Sequence, residues 1–452
     1  MPAGSVSSKI LSTVGRMLQD IPKQCDVVVI GGGPAGAMAA TSLSQRGYEV
    51  VLLEKKRHPR YNVGESLIPH FWKYCDLAKV SPKIEAEGFI KKQGGTVVWD
   101  GVIRQLAFKD FGYTRAALHV ERDRFDHILL ENAREHGARV FEEASAAQAV
   151  LNHGDGVKVV YRAAGNEISG EVSARFVVDA SGQSAMIARQ LGIRVIDEGF
   201  RFMSVWGYFR GSRYIALGGR AYECENLRAT PPTTFISSLE GWGWLWHIPL
   251  RESTSVGLVI PVEQVKEIKT SEEALEKYFL RKCHETPILN RLLENAHYCE
   301  GSFHVIRDYS YRPTRLVGPG FFLIGDAAAF VDPIFSVGVP VGMFSGYLAA
   351  WAIDRSFTDP SRTESNQALF QNQLQGRLEV ARSLALPRYG VQGSASDLAK
   401  RAIRVESSIE QELMFAASTV ITRNENFLDM VQDSEGRRVT SNRFQTLDAI
   451  LF

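Results

Sequence analysis

The sequence predicts an α/β chain: a domain built on a mostly parallel sheet, interrupted by an inserted antiparallel sheet (an α+β insert) and followed by a C-terminal helical region. Three observations predict it. The apolar run Cys25–Ile30 (CDVVVI) meets the glycine turn GGGPAG and then the helix-prone AMAATSLSQRG, the strand, turn and helix of a Rossmann-like nucleotide-binding unit. Two more apolar runs that end in acidic turns, ARFVVDASG and FFLIGDAAAFVDP, lie far downstream, so one site is assembled from pieces about 290 residues apart. Between these two runs, MSVWGYF and STSVGLVIPV alternate with the period of two that marks half-buried strands.

Taken in order, residues 1–24 form an N-terminal extension. Ile10, Leu11, Val14, Met17 and Leu18 fall at helical spacing there, without the continuous apolar core of a secretion signal. The nucleotide-binding domain is expected over 25–195 and 300–352. Gly31 takes the turn conformation, Gly33 lets the backbone approach a pyrophosphate, and Gly36 permits tight helix–strand packing. Ala35 lies in the first turn of the helix, whose unpaired N–H groups suit an anion. A second apolar run, VVLLEKK, ends at Glu54, about 20 residues further on, where a carboxylate can accept from adenosine ribose hydroxyls.

Three later segments favour FAD over NAD. Arg122 in HVERDRFDHILL stands just ahead of a helical pattern, where flavoprotein hydroxylases carry an arginine beside the flavin. The run ARFVVDASG, with Asp179 and Gly182, reads as the strand and turn that return the chain to the nucleotide domain. In FFLIGDAAAFVDP a buried strand runs into Gly325-Asp326, where a carboxylate can meet the ribityl or pyrophosphate part of the cofactor. No second GxGxxG follows a strand, so no NADPH site is evident, and reduced FAD is expected from a separate flavin reductase.

Residues 196–299 are expected as the inserted, substrate-side sheet. Their most distinctive stretch is GWGWLWHIPL (Gly241–Leu250), in which Trp244 and Trp246 precede Ile248-Pro249. Residues 353–452, with the helical runs FQNQLQGRLEVARSLALPRYG and SSIEQELMFAASTVITRN, read as a helical cap over a substrate cavity.

Composition narrows the class. At 452 residues the chain can bury a large core, and a net charge of +1 gives no reason to invoke nucleic acid. Five cysteines without a C-x-x-C pair read as reduced thiols in a cytoplasmic compartment, and no metal-ligand cluster is visible. Pro333–Ile353 is uncharged for 21 residues, but Gly338, Pro340, Gly342 and Gly346 interrupt it. A buried loop and helix at the cofactor is expected there, not a membrane span.

With GGGPAG, VGESLIP, GFIKKQGG, WLWHIP and GDAAAFVDPIFSVGV in place over residues 24 to 350, the chain resembles the flavin-dependent halogenases, within the single-FAD aromatic hydroxylases. It is most similar to the pyrrole and phenol halogenases. The resemblance implies that reduced FAD and O2 convert chloride or bromide to hypohalous acid, HOX, and that a lysine holds or carries the halogen to an electron-rich aromatic ring. Lys92, in Phe89-Ile90-Lys91-Lys92-Gln93-Gly94, fits that lysine. Lys91 competes with it, because neighbours in an extended segment face opposite ways. The resemblance further implies a tunnel wall of Trp244, Trp246, Ile248 and Pro249 between flavin and substrate, which disfavours hydroxylation.

Halide binding falls to Asp332–Val339, with Val337 and Gly338 as the site residues and backbone N–H groups as the donors. Relatives often carry Ser or Thr at the place of Val337, and His-Leu-Ala where this chain has Pro340-Val341-Gly342. Tryptophan halogenases place a glutamate where Phe335 stands, which argues against tryptophan as substrate and leaves the ring-deprotonating base open among His70, His119, His247 and His304. The expected substrate is a small phenol or pyrrole, free or tethered to a carrier protein. The alternative is a non-halogenating FAD monooxygenase or reductase on the same scaffold.

Overall fold

Three consecutive valines, Val27–Val29, are wholly buried because both faces of the strand that carries them are covered. The computed structural model describes residues 21–154, 156–163, 168–198, 201–239, 243–270, 273–307, 310–385 and 444–452. Val27–Ile30 lies inside a six-stranded sheet whose order is Val317–Gly318, Phe321–Leu323, Phe176–Asp179, Val27–Ile30, Val50–Glu54 and Arg139–Glu142. Every pairing is parallel except the outer hairpin of Val317–Gly318 with Phe321–Leu323. Ile30 is in register with Asp179 and with Leu53, so the glycine turn, the Asp179 turn and Glu54 all leave the sheet at its carboxyl edge. That edge is where ligands bind in open α/β sheets.

The helix Pro34–Ser44 covers one face, packed against the helices Arg122–Glu135 and Gly338–Thr358. Small residues permit the close approach: a Cβ on Gly346 would lie 2.4 Å from the carbonyl oxygen of Ala35. Gly342 and Gly346, which interrupt the uncharged run, are therefore helix-packing positions. No helix among the described residues is long and apolar enough to cross a membrane. The other face of the sheet meets an antiparallel meander, Ala144–His153, Gly156–Ala163 and Ile168–Ala174, with Val157, Val159 and Val172 in the shared core.

The second sheet has nine strands and draws on more of the chain than the expected 196–299 insert. Its order is His297–Tyr298, Phe202–Arg210, Thr254–Pro261, Trp244–Pro249, Thr233–Ser238, Gly94–Trp99, Val102–Ala107 and Phe444–Leu447, with His304–Arg307 also paired to Phe202–Arg210. Gly94–Trp99 and Val102–Ala107 reach it as a hairpin from the amino-terminal part. The signal was the Asp100-Gly101 turn, in which both residues have positive φ (49° and 75°), as a two-residue hairpin loop requires. Thr233–Ser238 pairs parallel with Gly94–Trp99, so the sheet is not purely antiparallel. The helices Leu275–Glu285 and Pro287–Leu292 pack on its outer face through Phe279, Cys283, Leu289 and Leu292.

Of the expected helical cap, Thr363–Ala385 is a helix packed on Gly338–Thr358. Its last turns, with Val380, Leu384 and Ala385, join the core that holds Trp244 and Trp246. Phe444–Leu447 is a strand on the edge of the second sheet, a departure from the all-helical expectation. Residues 386–443 of that expectation, and 1–20 of the N-terminal extension, lie outside the described residues.

Candidate active site

Between the two sheets lies a cavity of about 620 Å³. Gly31, Gly33, Ala35, Glu54, Arg122, Gly325 and Asp326 line it. Gly31 has φ of +104° and packs so closely on Ala180 that a Cβ would stand 2.3 Å from that carbonyl oxygen. Gly33 is the N-cap of Pro34–Ser44 and no side chain caps it, so the first N–H groups of that helix are left for a ligand. A Cβ on Gly33 would meet nothing nearer than Arg60 at 3.6 Å, so its open face belongs to the cavity. Gly36 serves packing alone: a Cβ there would lie 1.9 Å from the Gly31 carbonyl oxygen.

Glu54 is buried, and Oε2 accepts from Gly32 N at 2.7 Å. Arg122 is anchored from every side. Its guanidinium donates to both Asp126 oxygens (2.8 and 3.0 Å) and to the carbonyls of Val63 and Gly64. Burial pushes the Asp326 carboxyl up to about 6, against the pull of Arg122. Asp179 does not reach the cavity: its two oxygens accept from Ser181 N (2.9 Å) and Ile187 N (2.8 Å). Its part is to shape the turn whose Ala180, Ser181 and Gly182 form the wall. The uncapped helix, the buried carboxylate at the strand end and the fixed arginine together fit FAD.

On Trp244–Pro249 alternate side chains separate cleanly. Trp244, Trp246 and Ile248 line the cavity, while Leu245 enters the opposite core and His247 meets Ser212 Oγ at 2.8 Å. Pro249 is not part of the wall; its carbonyl is 3.0 Å from His119 Nδ1. Gly257 on the adjoining strand makes room for the indole of Trp246, since a Cβ there would lie 2.1 Å from it.

The two candidate lysines face opposite ways: Lys91 is exposed and Lys92 is buried. Lys92 Nζ donates to Ser66 Oγ at 2.8 Å and to the Leu67 carbonyl at 3.1 Å, and lies 5.3 Å from the Phe108 ring centroid. Burial draws the ammonium down to about 7. Lys92 does not itself line the cavity, but Ser66 does. Ser66 Oγ also accepts from Ser336 Oγ at 3.1 Å, in the expected halide loop. Ser336 holds a φ of +57°, uncommon for a residue other than glycine. In that loop Gly338 lines the cavity, whereas the Val337 side chain is buried in the tryptophan core and leaves only its backbone to offer. Val337 caps the helix Gly338–Thr358 without a side-chain bond, so further N–H groups stand at this point.

None of His70, His119, His247 and His304 lines the cavity. The carboxyl that does, and that carried no expected role, is Glu65 in VGESLIP. Burial pushes it up to about 7, and Tyr208 OH donates to its Oε1 at 2.6 Å.

The sequence of residues 24–367 matches the family model described as FAD binding domain. The chain is 34% identical over 358 residues to a tryptophan 2-halogenase of Chondromyces crocatus, covering 79% of this chain and 66% of that protein, just under two thirds of its length. It is 33% identical over 373 residues to a flavin-dependent halogenase of Armillaria mellea, covering 79% of this chain and 69% of the relative. Among solved structures it is similar to the myxobacterial chondrochloren halogenase CndH, with a TM-score of 0.74 and 26% identity over 92% of this chain and 99% of that one. It is also similar to the flavin-dependent halogenase CmlS, with a TM-score of 0.72 and 28% identity over 87% of this chain and 72% of that one. On this sequence identity, coverage and shared architecture, the chain belongs to the flavin-dependent halogenases, FAD-dependent oxidoreductases.

Proposed function

We propose that this chain halogenates an electron-rich aromatic ring by electrophilic substitution, with Lys92 presenting the halogen. When bound, reduced FAD together with O2 supplies the two-electron oxidant that turns chloride or bromide into HOX. The residues at the glycine turn, Glu54 and Arg122 hold the cofactor. Backbone N–H groups of the loop Asp332–Val339, with Val337 and Gly338 at the helix start, receive the halide. Trp244, Trp246 and Ile248 exclude the ring from the flavin and keep HOX from bulk water.

The observation that carries the reading is the setting of Lys92. It is a buried lysine whose hydrogen bonds go to a hydroxyl and a carbonyl, with no carboxylate partner among the described contacts. Such an ammonium readily gives up its proton, and its free amine can form an N–X bond with HOX or hydrogen-bond it. Glu65, poised to hold or release a proton near neutrality, lines the same cavity as the cofactor residues and serves as a proton carrier there.

Phe335 is buried where tryptophan halogenases carry their glutamate, which favours a phenol or pyrrole as the ring. The Chondromyces relative is named for tryptophan, so indoles belong in the test. Free phenols, pyrroles and indoles are incubated with the enzyme, a separate flavin reductase, FAD, O2 and bromide, and the products are read by mass spectrometry. A brominated product that disappears in Lys92→Ala supports the proposal. Hydroxylated products, or bromination unchanged in Lys92→Ala, contradict it.

A further inference from the structure

Four buried side chains connect in one line from Lys92. Ser66 Oγ lies 2.8 Å from Lys92 Nζ, Thr234 Oγ1 lies 2.9 Å from Ser66 Oγ, and His119 Nε2 lies 2.8 Å from Thr234 Oγ1. The line ends at the Pro249 carbonyl, 3.0 Å from His119 Nδ1. The exposure of Lys92, Ser66, Thr234 and His119 runs from 0 to 8%. Strand pairing puts them together: Ile90–Lys92 runs antiparallel to Ala117–His119, and Ser66 bridges to His119.

The two ends set the direction of every hydrogen in between. A carbonyl only accepts, so Nδ1 of His119 carries the hydrogen and Nε2 presents its lone pair. Thr234 therefore donates to Nε2 and must accept from Ser66. An ammonium only donates, so Ser66 accepts from Lys92, and it also accepts from Ser336. Its one hydrogen is thus left for Thr234, and each hydroxyl is satisfied in one orientation only. The other bond of Lys92, to the Leu67 carbonyl, leads nowhere, because a carbonyl cannot pass a proton on.

We propose that Ser66 and Thr234 form a proton relay that carries a proton from Lys92 to His119 Nε2, making His119 the internal proton acceptor that frees the lysine amine. This rests on the reading of Lys92 as the halogen-presenting residue. The step balances. An N–H bond of Lys92 breaks as an O–H bond forms on Ser66; the Ser66 hydrogen passes to Thr234, and the Thr234 hydrogen passes to His119. Lys92 is left with a lone pair and His119 as an imidazolium that still donates Nδ1–H to Pro249. The buried charge stays at one. The amine then attacks HOX, an N–X bond replacing one N–H bond while the departing hydrogen and OH leave as water. His119 is held neutral at rest by its own burial and by the Lys92 charge. The other ionisable group facing it is His247, itself neutral and bonded to Ser212. A proton is therefore moved and not shed to solvent, and the same path returns it.

The test uses the full chain. Nitrogen-15 histidine NMR of wild type, without cofactor, is expected to show His119 neutral with its hydrogen on Nδ1; a hydrogen on Nε2 overturns the relay whatever the enzyme's activity. Bromination is then followed in single turnovers for wild type, Thr234→Val, Thr234→Ser and Lys92→Ala. Wild type should gain less rate between about pH 6 and 8 than Thr234→Val, which must lose the lysine proton to solvent and should be at least about tenfold slower than wild type at pH 6, the gap closing as pH rises. Thr234→Ser should restore the wild-type profile. If Lys92→Ala is inactive and Thr234→Val keeps the wild-type rate and profile, the relay falls and the role of Lys92 stands. If Lys92→Ala brominates like wild type, the reading of Lys92 falls and takes the relay with it.

Discussion

Lys92 Nζ donates to Ser66 Oγ at 2.8 Å, and Ser66 is the point at which the buried lysine meets the wall of the FAD cavity. Ser66 also touches Ser336 of the loop Asp332–Val339, so one hydroxyl stands between that loop and the amine. Trp244 and Trp246 stand along the same wall.

Lys92→Ala is expected to lower halogenated product by at least about a hundredfold while leaving FAD binding and oxidation of the reduced flavin intact. Flavin retained after desalting and the O2-dependent return of flavin absorbance check the two halves of this prediction. Loss of flavin along with product would make Lys92 a structural residue.

The same lysine should cost stability in a pH-dependent way. Its folded value of about 7 lies below the usual 10.5, so the unfolded chain binds more protons between those values and stability rises with pH across that window. Lys92→Met should therefore be more stable than wild type at about pH 6, on the order of 4 kcal/mol as an upper figure, with the gain shrinking as pH climbs from 7 towards 10. Urea unfolding of both proteins at several pH values measures it.

Two glycines of one motif should fail differently. Gly33→Val brings its Cβ no closer than 3.6 Å to Arg60, an ordinary contact, so the variant should fold with an unchanged melting temperature and bind no FAD. Gly36→Val drives a side chain into the Gly31 carbonyl and should lose about 3 kcal/mol or more. Thermal melts paired with flavin titration separate the cases.

The tryptophan wall should depend on a residue that does not line the cavity. Gly257→Val would displace the Trp246 indole, whereas Trp246→Phe keeps an aromatic ring in place. Trp246→Phe should keep most halogenation, and Gly257→Val should lose it together with about 1–3 kcal/mol of stability. Denaturant melts and product assays on both variants check this.

The nucleotide half was legible because local chemistry writes it. GGGPAG, the acidic end of VVLLE and the Gly325-Asp326 turn each sit at a strand end, and the parallel sheet brings those ends together. The second sheet was less legible because its strands come from both sides of the 196–299 span. The Asp100-Gly101 turn announces a hairpin but not the parallel partner, Thr233–Ser238, that receives it. Asp179 and Gly325-Asp326 look alike in sequence, both acidic turns after apolar runs. Only the fold shows that Asp179 spends its oxygens on its own turn while Asp326 lines the cavity. Glu65 and the line from Lys92 to His119 could not be read from spacing, because their members lie on four separate segments and meet only when the sheets close.

The most direct measurement loads the enzyme with FAD, reduces it without oxygen, and mixes it with oxygenated buffer with and without chloride or bromide while flavin absorbance is followed by stopped flow. Halide is expected to hasten the final return of oxidised flavin, because the bound oxidant then has an acceptor in the loop Asp332–Val339. A return at the same rate with and without either halide would contradict it and favour a non-halogenating monooxygenase.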